Sequence, residues 1–445
     1  MTEPRPAPAR RPASTAAAAM APALASRRAA LRLLQAVLDD GEAMDDHFDA
    51  AVAKLEARDR AFVRLLATTT LRRMGQIDGV LKTFLDRPLA RRHGAVRHVL
   101  RLAAAQILFL DTPAHAAADT SVELTKTLKA PGLTGLVNAV ARRLAREGRE
   151  VLAGQDVRLN TPRWLWQSWI DTYGEAAARR IAEADLGEPP LDITVKAEAA
   201  AWAEALKAEI LPTGSLRRLD GGLVSQLPGY AEGAWWVQDA AAALPARLLG
   251  EVAGLTVIDL CAAPGGKTAQ LAAAGARVIA VDRSEVRLRR LSENMQRLGL
   301  ADRVTTICAD AATWRPETPA DAVLLDAPCT ATGTIRRHPD VLWLKKAGDP
   351  ESLAATQDAL LTAAAEMLVP GGRLVYCVCS LQPQEGPARM ATAAALPLTP
   401  EPVAADEIGG LAEAITPEGW LRTLPCHLGE RGGMDGFFAA RFRRA

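Results

Sequence analysis

The chain has 445 residues, more than one ordinary core accommodates, so roughly two to four domains are expected. Its 49% hydrophobic and 24% charged residues are those of a soluble globular protein and exclude a disordered or membrane-spanning chain. The net charge of +1 hides an asymmetry, with 24 Lys+Arg against 16 Asp+Glu in residues 1–150 and 29 against 36 after them, which fits a polyanion-facing front joined to an acidic back as well as it fits a solvated arginine-rich helical surface.

Residues 1–25 are rich in Ala, Pro and Arg. Pro4, Pro6, Pro8, Pro12 and Pro22 favour an unstructured tail over an organelle transit peptide. Residues 26–150 read as successive amphipathic helices, punctuated by Pro88, Pro113 and Pro131, so an all-α domain is predicted. Its arginines cluster at Arg72-Arg73, Arg91-Arg92, Arg97, Arg101 and Arg142-Arg143, which are candidates for phosphate contacts. Residues 151–235 hold five tryptophans, with Trp236 just beyond, a break at Pro189-Pro190 and a predicted strand at Leu191–Val195. This segment reads as a small α/β connector.

From 236 to 445 strand and helix alternate. Strands are predicted at Thr256–Leu260, Arg277–Val281, Val304–Ile307, Ala322–Leu325, Arg373–Val378 and Gly436–Ala440, with helices such as Glu285–Leu298 and Ser352–Leu368 between them. Such alternation predicts an open, largely parallel sheet wrapped by helices, a Rossmann-like α/β fold that binds ligands beyond the carboxyl ends of its strands.

The first of these strands runs into Cys261-Ala262-Ala263-Pro264-Gly265-Gly266-Lys267-Thr268. Gly266-Lys267-Thr268 resembles the end of a phosphate-binding loop, but the first glycine of that motif would fall at Cys261. The nicotinamide fingerprint is also missing. S-adenosylmethionine needs only a glycine-rich turn, an acid at the second strand end for the ribose hydroxyls and another acid near the adenine. Asp282 and Asp310 supply these in order, so S-adenosylmethionine is the predicted cofactor.

Asp326-Ala327-Pro328-Cys329 follows the fourth strand and Cys379-Ser380 the fifth. Neighbouring strands would bring both thiols to the cofactor's crevice, whereas Cys377 lies inside its strand and reads as a small buried hydrophobe. A thiol there suits methylation at carbon 5 of a pyrimidine. Sulfur adds to carbon 6, carbon 5 becomes nucleophilic and takes the methyl group, a base removes the carbon 5 proton, and the thiol leaves. Asp326 would bond the polar edge of a base flipped out of its stack. Which cysteine attacks does not follow from spacing, since both orders are chemically reasonable.

These residues resemble the RsmB/Sun (NOL1/NOP2/Sun) family of RNA 5-methylcytosine methyltransferases. The resemblance rests on Cys261–Lys267, on Asp326–Gly333 running into Arg336-Arg337-His338-Pro339-Asp340, on Cys379-Ser380 with Glu385, and on Asp435-Gly436-Phe437-Phe438. Residues 26–150 resemble, less specifically, the NusB-like RNA-binding domain of the bacterial RsmB type, through Ala116–Leu144. The resemblance implies Cys379 as nucleophile, Cys329 for product release, and a cytidine of small-subunit ribosomal RNA as target. The family also has transfer-RNA members, so a tRNA substrate stays open. Two departures stand out. Val378 replaces the usual Thr before the nucleophile, removing a hydroxyl beside the site, and Gly386 replaces the Asn after Glu385.

Two other readings differ in kind. A non-catalytic RNA-binding assembly factor would use the front half alone, and a DNA methyltransferase would attack through Cys329. The six cysteines form no CxxC pair, and His93, His98, His115 and His338 lack helical spacing with a carboxylate, so no metal site is expected. RNA is the expected partner, with no membrane, and the chain is expected to be a cytoplasmic monomer with reduced thiols.

Overall fold

The computed structural model describes residues 14–220 and 222–445, apart from the side chains of 14–22 and 131. Residues 1–13, the first part of the expected tail, lie outside the described residues, and the first helix opens at Ser14. The chain divides into two units, Met1–Asn160 and Thr161–Ala445.

The described part of the first unit is built of α1 (Ser14–Gln35), α2 (Met44–Val52), α3 (Ala57–Arg72), α4 (Met74–Phe84), α5 (Gly94–Leu108), α6 (Ala114–Lys126) and α7 (Thr134–Ala153). Helix α7 shows how sequence makes the packing. Val137, Val140, Ala141, Leu144 and Gly148 recur on one face and are buried, and the charged residues between them face outward. Helix α5 is buried nearly all round from Val99 to Leu108, and α1, α3, α4, α6 and α7 pack on it. Its alanines 103–105 let these neighbours approach closely.

The arginine clusters divide between core and surface, which corrects the expected phosphate footprint. Arg72 and Arg101 are buried. The Arg101 guanidinium grips Asp78 with both arms, Nε to Oδ1 at 2.8 Å and Nη2 to Oδ2 at 2.6 Å, and its Nη1 lies 3.2 Å from His98 Nδ1. Arg73 and Arg143 lie over the rings of Phe109 and Phe84. The guanidinium plane suits carboxylates and aromatic faces as well as it suits phosphate. Arg91, Arg92 and Arg142 are exposed.

In the second unit, α8 (Arg163–Tyr173) and α9 (Glu175–Ala184) precede β1 (Leu191–Val195), α10 (Ala199–Leu206), β2 (Glu209–Ile210), β3 (Leu216–Arg218) and β4 (Trp235–Val237). These strands form a small antiparallel sheet ordered β2-β3-β1-β4, with the buried Arg217 paired to Asp192 at 2.6 Å. Only β1 was visible in the sequence, because the others are two or three residues long.

Next come α11 (Leu244–Arg247), β5 (Thr256–Leu260), α12 (Gly266–Ala273), β6 (Arg277–Asp282), α13 (Glu285–Arg297), β7 (Val304–Cys308), β8 (Ala320–Asp326), α14 (Val341–Leu344), α15 (Asp349–Glu366), β9 (Leu368–Val378), α16 (Met390–Ala394), β10 (Leu398–Pro400), β11 (Leu421–Arg422) and β12 (Phe438–Arg444). The large sheet runs β10-β12-β9-β8-β5-β6-β7, with β11 also on β12. Strands β5 to β9 pair in parallel, as predicted, while β10, β11 and β12 are antiparallel. Successive residues alternate between two apolar layers, Val257, Ala322 and Cys377 on one face, Ile258, Val323 and Val378 on the other. From β5 the chain winds outward through β6 and β7, then returns to β8 on the other side. The carboxyl ends of β5 and β8 therefore flank the crevice at the switch point. The last strand begins at Phe438, two residues later than predicted, because Gly436 N–H bonds Gly333 O at 2.8 Å and holds that stretch to the β8 loop instead.

Candidate active site

The loop after β5 turns at Cys261 and Gly265, with φ of 60° and 103°, before α12 begins at Gly266. The conformation of Gly265 is one that side chains avoid, and a Cβ there would meet Leu291 Cγ at 2.7 Å. Beneath the loop lies Asp259, a charged residue inside the otherwise apolar β5. It is fully buried and accepts a hydrogen bond from Thr268 Oγ1 at 2.6 Å, tying β5 to α12. Burial, against the help of Thr268, pushes its pKa up to about 7. Burial and the carboxylates of Asp326, Asp282 and Asp259 push the Cys261 thiol up to about 12, so it stays protonated.

Parallel register aligns the ends of β5, β6 and β7. Asp282 ends β6, accepting from Ser284 N at 2.9 Å and Ala263 N at 3.2 Å and pairing with Arg287 at 3.3 Å. Asp310 stands exposed after β7, and its Oδ1 accepts from Ala312 N at 3.0 Å. The structure therefore brings Cys261–Lys267, Asp282 and Asp310 to one edge. Lys267 departs from a phosphate-binding role. Its ammonium is buried and paired with Asp326 Oδ2 at 2.7 Å. With its lysine neutralised and Asp282, Asp310 and Asp326 around it, this edge disfavours phosphates. It suits a ligand carrying ammonium and sulfonium charges and ribose hydroxyls, which S-adenosylmethionine is.

Cys329 and Cys379 come together, with 3.5 Å between sulfurs. Cys377 is buried with its sulfur 3.5 Å from Asp326 Oδ1. A hydrogen bond to Cys379, then burial, then the charges of Cys379 and Glu385 raise the Cys329 pKa well above that of a free thiol. Burial opposes the charge of Lys267, but Asp326 and the neighbouring Cys377 and Cys379 outweigh it and the pKa rises. Arg337 behaves alike, since Asp435, Asp239 and Cys379 together overcome its burial. Lys267 and Arg337 are thus two cations in the neighbourhood of Cys379.

Glu385 joins the two thiol-bearing loops. Its Oε1 accepts from Thr330 N at 2.8 Å, and its Oε2 accepts from Ser380 Oγ at 2.5 Å and from Thr330 Oγ1. Gln357 Nε2 bridges Glu385 Oε1 and Pro328 O at 3.2 and 3.0 Å, and Gly333 N donates to Cys379 O at 3.0 Å. Thr330, Gln357, Ser380 and Glu385 are all buried, so their polar atoms gain from being paired. Behind it Arg337 donates to Asp435 Oδ2, 2.8 Å from Nε, and the buried Arg336 donates to Asp239 Oδ2 at 2.8 Å.

The two departures acquire physical explanations. Val378 points to the opposite face from Cys377 and Cys379 and is wholly buried among apolar residues, so no hydroxyl is missing from the thiol side. Gly386 leaves room for the buried Arg422, since a Cβ there would stand 2.8 Å from Arg422 Nη2 and 2.9 Å from Phe438 Cγ. Arg422 Nη1 in turn donates to Ser380 O at 2.6 Å, next to the nucleophile candidate.

Asp259, Arg337 and Asp435 had no assigned role in the sequence. The one signal for Asp259 was a charged residue inside an otherwise apolar strand. Among the described residues no helix is long and apolar enough to cross a membrane, and no cluster of three or more His, Cys, Asp or Glu could hold a metal ion.

Comparison with known proteins agrees with both units. Residues 246–443 match the family described as 16S rRNA methyltransferase RsmB/F, and residues 24–146 match the NusB family. The ribosomal RNA small subunit methyltransferase B of Vibrio cholerae is 37% identical over 84% of this chain and 90% of its own. That of Pseudomonas putida is 36% identical over 93% of this chain and 97% of its own. Among solved structures, PH0851 is 22% identical and shares the fold, with a TM-score of 0.74 over 95% of this chain and 99% of its own.

Proposed function

Because the chain belongs to the ribosomal RNA small subunit methyltransferase B family, we propose that it methylates carbon 5 of a cytidine in small-subunit ribosomal RNA, with Cys379 as nucleophile and Cys329 as the group that releases the product. S-adenosylmethionine, held by the Cys261–Lys267 loop, Asp282 and Asp310, supplies an electrophilic methyl group. The observation that carries the reading is the pair of sulfurs 3.5 Å apart at neighbouring strand ends.

A thiolate is the reactive form of cysteine. The hydrogen bond to Cys379 and then burial raise the Cys329 pKa, which disfavours Cys329 as the attacking thiolate, and Cys379 lies near the cations Lys267 and Arg337. Cys379 sulfur then bonds carbon 6 of the flipped cytidine, and the displaced electron pair moves to carbon 5. Asp326, about a third exposed, faces the base's polar edge. Once carbon 5 carries the methyl group, a base removes its proton, the electron pair re-forms the ring double bond, and the carbon–sulfur bond breaks to release Cys379. Cys329, 3.5 Å from Cys379, is the group that assists this release.

The test is twofold. The protein should bind S-adenosylmethionine at equilibrium, and bisulfite mapping of ribosomal and transfer RNA from cells lacking it should show one protected cytidine of small-subunit RNA becoming convertible. Loss of a transfer-RNA site instead would reassign the substrate, and no binding at millimolar S-adenosylmethionine would overturn the enzyme reading.

A further inference from the structure

Beside the nucleophile loop lies a cleft of about 360 Å³ that no step above uses, lined by Trp164, Gln167, Asp171, Pro350, Gln382 and Gln384 among others. Helix α8 forms one wall and the residues following Cys379 the other. The two are fastened together, Ser168 Oγ donating to Gln382 Oε1 at 2.6 Å and Tyr173 Oη to Leu381 O at 2.6 Å. Whatever sits in the cleft is therefore held in fixed register with Cys379. Gln382 is only three residues beyond it, at most about 10 Å of extended chain.

The lining is specific in its chemistry. Gln382 is 1% exposed, and its Nε2 has no hydrogen-bond partner among the described residues, a donor left over because Ser168 occupies its oxygen. Gln384 shows the reverse. Its Nε2 donates to Glu351 Oε1 at 3.0 Å and its Oε1 is left without a partner among the described residues. Asp171 is exposed, and among the described residues only its Oδ1 is engaged, by Gln167 Nε2 at 2.9 Å. Trp164 is partly buried against the apolar cluster of α8 and α9. Among the described residues none that lines the cleft is a cation, so the lining offers a phosphate no positive charge. A donor, two acceptors and an indole ring are what a flat heterocycle with both kinds of polar edge requires.

We propose that this cleft binds one unstacked base of the substrate RNA, close in the strand to the target cytidine, and so sets which cytidine reaches Cys379. The proposal rests on the RNA-methylation reading. Stacking on Trp164 contributes affinity. Gln382 Nε2 donates to a ring nitrogen or carbonyl, and Gln384 Oε1 and Asp171 accept from an exocyclic amino group, which uracil lacks.

Steady-state methylation of small-subunit ribosomal RNA tests it, using wild type, Asp171→Ala, Trp164→Ala and Trp164→Phe. Asp171→Ala and Trp164→Ala should raise the KM for RNA roughly tenfold, the size of a lost base contact or stack. The kcat and the affinity for S-adenosylmethionine should not change, and Trp164→Phe should restore most of the loss. Should Trp164→Ala fail to fold, the exposed Asp171 decides alone. A wild-type KM in Asp171→Ala beside an active wild-type enzyme overturns the proposal. A wild type that transfers no methyl group to RNA overturns the underlying reading, and this proposal with it.

Discussion

The helical unit and the catalytic unit both bury arginines, and they use them differently. In the helical unit Arg101 closes on Asp78 beside His98, and Arg73 and Arg143 settle on aromatic rings, so these charges are consumed in holding helices together. In the catalytic unit Arg337 and Lys267 are also paired with carboxylates, yet both lie in the neighbourhood of Cys379. A buried ion pair is weak evidence of function by itself. What separates the two cases is a reactive group within reach of the field.

That contrast predicts where substitution costs most. Cys379→Ala should lower methyl transfer by about four orders of magnitude or more while S-adenosylmethionine still binds, since it deletes the reacting atom. Substantial activity in that variant would place the chemistry elsewhere. Glu385→Ala comes next, because it frees Thr330 and Ser380 and lets the thiols drift. A misplacement of about 1 Å costs roughly a hundredfold in kcat, readable in single-turnover assays, and an unchanged kcat would show that the loops hold without it.

Asp259→Asn sharpens the comparison through stability rather than rate. The folded-state pKa of Asp259, about 7, lies above its unfolded value. The native protein therefore binds the extra proton between roughly pH 4 and 7, and its stability falls as pH rises through that window. Asn cannot ionise, so denaturant melts of the variant should be flatter across the window, and an unaltered slope would mean that Asp259 does not titrate there. The smallest effect belongs to the helical unit's surface. Replacing Arg91, Arg92 and Arg142 with Ala should weaken RNA binding a few-fold and reduce its log–log salt slope by roughly 0.7–0.9 per lost phosphate contact. A slope that stays put would leave the basic surface without a role in RNA binding.

Much of this was legible in the sequence because the relevant signals were local. The loop at Cys261–Lys267, the acids at successive strand ends and the thiols beyond β8 and β9 all follow from where strands stop. The antiparallel β12 was legible as a strand but not in direction, since period-two burial is the same both ways. Contacts across long separations were not legible. Glu385 reaches Thr330 from another loop. The pairing of Lys267 with Asp326 was not legible either. The arginines of α3 and α5 looked like a phosphate footprint, because burial depends on which helix face meets α1 and α4. Val378 looked like a loss beside the site, although strand alternation alone places it on the opposite face from Cys379.

The division of labour between the two thiols is tested most directly by trapping. Cys329→Ala protein, mixed with small-subunit ribosomal RNA and S-adenosylmethionine, should accumulate a denaturation-resistant protein–RNA adduct that peptide mass spectrometry maps to Cys379, and the Cys329→Ala/Cys379→Ala double variant should form none. An adduct in Cys379→Ala protein mapping to Cys329 would contradict the assignment and make Cys329 the nucleophile.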